Sequence, residues 1–108
     1  MKKISIIGAG ISGLFFANLL QNNPEYDFTI FEKKALIDLE DSYGIQLSVN
    51  SIKLLNQLGF SAIDKNQIYN PNKINFINAK DNKKICDLDI SKFNYDNNLY
   101  TTIKRSTL

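Results

Sequence analysis

A chain of 108 residues, 44% hydrophobic and 22% charged, has apolar side chains for one modest domain. Thirteen basic and eleven acidic residues leave a formal charge of +2, too small and scattered to point to nucleic acid or an anionic membrane surface. With no histidine and a single Cys86, the chain has within it no Ser-His or Cys-His nucleophile pair, no His-ligated metal and no internal disulfide.

The first stretch, KKISIIGAGISGLFFANLL over residues 2–20, admits two readings. Lysines followed by apolar residues loosely describe a secretion signal. Gly8, Gly10, Ser12 and Gly13 interrupt the apolar run, however, and no Ala-x-Ala cleavage site follows it. The other reading is strand, turn, helix. Ile4, Ile6 and Ile7 form a β-branched run that predicts a strand buried on both faces. Gly8-x-Gly10-x-x-Gly13 follows at once. Residues 14–17 with Leu19 and Leu20 predict a buried helix, stopped by Asn22, Asn23 and Pro24. Residues 27–31 predict a second strand that ends at Glu32. The result is a β-α-β unit of about 30 residues, the context that a lone glycine pattern lacks.

The spacing has a chemical reason. Gly8 permits a tight turn off the strand, Gly10 lets backbone approach a pyrophosphate, and Gly13 lets the helix pack close to the strand. The helix start, with the amides of Ile11 and Ser12, offers unpaired N–H groups and roughly half a positive charge to phosphates. Glu32 stands 19 residues after Gly13, where an acid accepts hydrogen bonds from ribose hydroxyls and disfavours a 2′-phosphate.

A loop is expected over residues 33–43, then a loop and helix over 44–60 in GIQLSVNSIKLLNQLGF. There Ile52, Leu54, Leu55 and Leu58 have helical spacing and Gly59 is a C-terminal stop. Alternating segments over 73–79 and 84–90 predict a β-hairpin with Cys86, Leu88 and Ile90 on one face, which makes Cys86 a packed strand residue rather than a reactive thiol. A strand leading into a further helix is expected over 99–108. The fold class is therefore α/β: a Rossmann-like β-α-β unit with an inserted antiparallel β-hairpin.

Several of these segments, taken in order, resemble the N-terminal part of the FAD-dependent aromatic hydroxylases, the flavoprotein monooxygenases of the para-hydroxybenzoate hydroxylase fold. The matching pieces are GAGISGL at 8–14, the Glu32-Lys33 pair, GIQL at 44–47 leading into NSIKLLNQLG, and YTTIKRSTL at 100–108. Within that family the chain looks most similar to the branch with ubiquinone-biosynthesis hydroxylases. The resemblance implies FAD as cofactor, NAD(P)H and O2 as co-substrates, and a small aromatic substrate. It also implies that Gly8, Gly10 and Gly13 hold the FAD pyrophosphate, Glu32 the adenosine ribose and Lys33 the adenine moiety, with Gln46 and Arg105 on the flavin side. Val49 departs from it, since the family commonly has proline there. Two later family motifs, an Asp-Gly and a Gly-Asp segment, do not occur before Leu108, so a truncated reading frame is expected.

Two other functions remain open on the sequence: another FAD oxidoreductase such as a reductase or halogenase, or a cofactor-binding module without turnover. An NAD-dependent dehydrogenase is disfavoured by the hairpin and by GIQL. One unpaired thiol suits a reducing compartment, and no apolar run approaches the roughly 20 residues of a transmembrane helix. The expected location is cytoplasmic, with peripheral contact at the inner membrane left open.

Overall fold

The isoleucine run forms strand β1 (Lys2–Ile7), and the aromatic and β-branched residues after Pro24 form β2 (Tyr26–Phe31). Between them α1 spans Ile11–Leu20. The two strands pair in parallel, in register from Lys2 opposite Tyr26 to Ile7 opposite Phe31. The computed structural model describes residues 1–35 and 43–108. It divides into two compact units, Met1–Asp41 and Ser42–Leu108.

In the first unit α1 covers one face of the strand pair. Ile6, Ala17 and Leu20 are buried together, with Ile4, Tyr26, Phe28 and Ile30 packed against them. The expectation of a strand buried on both faces is corrected here. Side chains alternate along a strand, so Ile4 and Ile6 face the helix while Ile7 points away and is 82% exposed. A helix buried all round is corrected too, for Phe16 and Leu19 lie on the outer face of α1 and are exposed. The helix stops as its sequence suggests. Pro24 has no N–H to continue the ladder, and the Glu25 amide donates to the Asn23 side chain at 3.0 Å.

The second unit opens with β3 (Gly44–Leu47), where a loop was expected. Its pairing partner is β7 (Thr101–Lys104), more than fifty residues away, so no local pattern announces it. Helix α2 (Val49–Leu55) follows, then short 3-10 turns; Gly59 stands at a φ of +86°, the left-handed stop that its glycine permits. Strand β4 (Ile68–Tyr69) pairs with the other edge of β7, giving an antiparallel sheet of order β3-β7-β4. Ile52, Phe60 and Ile103 form its core, with Ile45, Leu47, Leu55, Ile63, Ile68 and Leu108 around them.

The hairpin forms from β5 (Lys73–Ile77) and β6 (Lys84–Asp89) as a two-stranded sheet of its own. Two details of the expectation are corrected. Ile90 is not in the strand but begins a 3-10 turn, where it is buried. Cys86 is exposed rather than packed, because among the described residues neither face of this hairpin carries a covering helix of its own unit. After β7 the chain makes a turn at 105–107, closed by the Thr107 amide on the Lys104 carbonyl at 3.0 Å. A register shift between Phe76 and Ile77 leaves Ile85 unpaired and swings Lys84 onto the face of Asp87, which it meets at 2.8 Å.

Candidate dinucleotide site

The turn between β1 and α1 is built by three glycines that do different things. Gly8 has a φ of +99°, a conformation that an L side chain strains. Its amide donates to the Phe31 carbonyl at 2.7 Å, tying the end of β1 to the end of β2. Gly10 is the N-cap residue of α1 with extended backbone and no side chain to cap the helix. A Cβ built on Gly8 or Gly10 would meet nothing within 4 Å. A Cβ on Gly13 would lie 2.1 Å from the Gly8 carbonyl oxygen and 3.3 Å from Ile6 Cγ2. Gly13 is thus needed for the close approach of helix, turn and strand, while Gly8 and Gly10 leave open space beside bare backbone.

The first hydrogen bond of α1 runs from the Leu14 amide to the Gly10 carbonyl at 2.9 Å. The amides of Ile11, Ser12 and Gly13 precede it and have no partner within the helix. Ile11 and Ser12 are exposed. Free N–H groups, a helix dipole and an open cradle together suit a diphosphate. The residues present therefore fit the phosphate half of a dinucleotide.

Glu32 stands directly after β2, on the same side of the unit as the glycine turn. Its Oε2 accepts the Ala9 amide at 2.7 Å and its Oε1 the Lys34 amide at 3.0 Å. These two bonds, Ala9 first, hold its carboxyl below the ordinary value of 4.5, with Lys33 adding a smaller electrostatic pull. The carboxylate is exposed, and an ionised carboxylate has about four acceptor positions, so two remain for ribose hydroxyls. Lys33 is exposed beside it.

Residues 6–37 match the family of NAD(P)-binding Rossmann-like domains. The match takes in the glycine turn, α1, β2 and Glu32. No curated protein matches the chain.

The remaining two predicted residues belong to the second unit. Gln46 lies on β3 opposite Thr102, on the outward face, and its Oε1 accepts the Tyr100 hydroxyl at 2.7 Å. Arg105 follows β7; its amide donates to the Tyr43 carbonyl at 2.9 Å and its guanidinium stands 6.0 Å from the Tyr43 ring centroid. The β3–β7 ladder thus pairs Gln46 with Thr102 and sets Arg105 at its end, opposite Tyr43. The structure adds Ala9, Tyr43 and Tyr100 to the residues the sequence singled out. The signal for Ala9 was its place between the first two glycines. Tyr43 and Tyr100 flank strands whose pairing is long-range, and nothing local pairs them with Arg105 and Gln46. Among the described residues there is no cluster of three or more metal-ligating side chains, and no helix long and apolar enough to cross a membrane.

Proposed function

We propose that this chain is the FAD-binding segment of a flavin-dependent monooxygenase that hydroxylates an aromatic substrate with NAD(P)H and O2. The observation that carries the reading is the change of sheet type. After one parallel β1-α1-β2 unit the chain turns to the antiparallel sheets β3-β7-β4 and β5-β6, whereas a doubly wound nicotinamide domain continues in parallel β-α-β repeats. An antiparallel hairpin at this point, with GIQL before it and Arg105 after it, is what the chain has in common with the aromatic hydroxylases.

When bound, FAD would supply the redox and oxygen chemistry, which is why a chain without histidine can serve such a reaction. The residues of this chain have binding roles. Gly8 and Gly10 keep the cradle clear, Gly13 sets the helix start, and the amides of Ile11 and Ser12 donate to the diphosphate. Glu32 accepts from the adenosine ribose, and Lys33 serves the adenine moiety. Gln46 and Arg105 serve the flavin side, Arg105 through a guanidinium fork suited to fixed acceptors.

A second reading keeps the turn but fills it with a nicotinamide dinucleotide, and the matched family favours it. Gly10→Val tests the shared part. Gly10 has a negative φ and open space around a built Cβ, so valine leaves the fold intact and fills the cradle. The variant is expected to unfold as the wild type does and to lose dinucleotide binding. Visible flavin absorbance in the purified wild type, absent from the variant, supports FAD; equal flavin content in both overturns the site. Tight NAD+ binding without flavin retention favours the second reading.

A further inference from the structure

We propose that Glu32 is also a positioning residue for the glycine turn: its Oε2 holds the Ala9 amide so that the turn is shaped for a diphosphate before any nucleotide arrives. The proposal rests on the dinucleotide reading and assigns the acid a second task, separate from the ribose.

Two consecutive amides of the turn are held from the end of β2. The Gly8 amide donates to the Phe31 carbonyl at 2.7 Å and the Ala9 amide to Glu32 Oε2 at 2.7 Å. The Gly8 bond comes with strand pairing and would exist with any residue at 32. The Ala9 bond depends on the side chain. It matters at this place because Gly8, at a φ of +99°, sits where the backbone has more freedom than at any other residue type, and Gly10 brings no side-chain cap to the helix start. The Lys34 amide on Oε1 at 3.0 Å holds the carboxylate from its other side, so the acid is itself fixed. With Ala9 occupied, the donors left for phosphate include the amides of Ile11, Ser12 and Gly13, ahead of the first helical bond at Leu14.

Charge gives the idea a distinct sign. A carboxylate beside a diphosphate repels it, so a Glu32 that touched only ribose would weaken the phosphate contacts. Its removal would then leave unchanged, or tighten, the binding of a nucleotide without ribose hydroxyls. If Glu32 shapes the turn, the same removal loosens that nucleotide. Glutamine separates the two effects, since its Oε1 still accepts one N–H and it carries no charge.

The test compares ADP with 2′,3′-dideoxy-ADP on the full chain by calorimetry, in wild type, Glu32→Ala and Glu32→Gln, with circular dichroism to verify folding. Glu32→Ala is expected to weaken dideoxy-ADP by about tenfold, the scale of one bond to a charged group, while Glu32→Gln keeps it near or above wild type. A second readout follows the Ala9 amide by NMR: its proton shift should titrate with the Glu32 carboxyl in the wild type and lose that titration in Glu32→Gln. If Glu32→Ala weakens ADP alone, or the Ala9 amide ignores the titration, the positioning role is overturned and the dinucleotide site stands. If wild type binds neither nucleotide, the dinucleotide reading falls and takes the positioning role with it.

Discussion

Within one glycine motif the side-chain hydrogens serve different ends. At Gly13 a single methyl would stand 2.1 Å from the Gly8 carbonyl oxygen, which is backbone and cannot rotate aside. Gly13→Ala is therefore expected to destabilise the first unit by about 1–3 kcal/mol, the cost of overpacking, as measured by denaturant unfolding. Gly10→Val, by contrast, should cost binding and not stability. Glu32 adds a pH dependence. Its folded-state pKa is lowered from 4.5, chiefly by the Ala9 amide and then by the Lys34 amide. The stabilisation is complete above the unfolded value and is lost as pH falls through the lower folded one. Asp87 and Asp89 are lowered too, Asp87 mainly by Lys84 and Asp89 mainly by Ser91, so acid destabilises through them in the same sense. The difference between wild type and Glu32→Gln isolates Glu32: on acidification from about pH 5 to pH 3, the wild type should lose more stability than the variant.

At the scale of elements, β7 organises the second unit. It is the central strand of its sheet, and Ile103 and Thr101 on it are 2% exposed. Thr101 is a buried polar residue whose hydroxyl is satisfied: it donates to the Leu99 carbonyl at 2.8 Å and accepts from the Asn70 side chain at 2.9 Å. Thr101→Val keeps the shape and deletes both bonds. Asn70 retains its contact with the Tyr100 carbonyl at 3.1 Å, so the loss falls mainly on Leu99. The expected cost is about 1–3 kcal/mol by denaturant unfolding, and an unchanged midpoint would show that these bonds contribute nothing net. The hairpin is a different kind of element. Its bulge at Ile85 gathers Lys73, Lys84 and Asp87 onto one face, and Phe76, Cys86 and Leu88 lie exposed on the other.

For the whole molecule, any ligand that binds only the folded chain raises its stability by mass action, about 2.7 kcal/mol at a hundredfold excess over Kd. Thermal unfolding with FAD, NAD+ and NADP+ at matched concentrations therefore ranks the candidates directly. FAD is expected to raise the midpoint most. NADP+ is expected to raise it least, because its 2′-phosphate would meet the Glu32 carboxylate. Equal shifts with NAD+ and NADP+ would show that the acid does not read the ribose.

Periodicity and glycine spacing were enough to place β1, α1 and β2 and to bring Glu32 to the glycine turn, because a parallel β-α-β unit lies in one continuous stretch of the chain. The hairpin was legible for the same reason, its strands being joined by a short polar turn. What the sequence did not disclose depends on distant partners or on what covers a face. GIQL becomes a strand only because β7 returns to pair with it. Ile7, Phe16 and Cys86 are exposed because, among the described residues, no element of their own unit lies over them. Nor could spacing reveal that Glu32 is already bonded to the turn through Ala9, since that bond needs two strand ends in parallel register. Hydrophobic pattern tells which residues prefer burial; only the three-dimensional chain decides which of them find a neighbour.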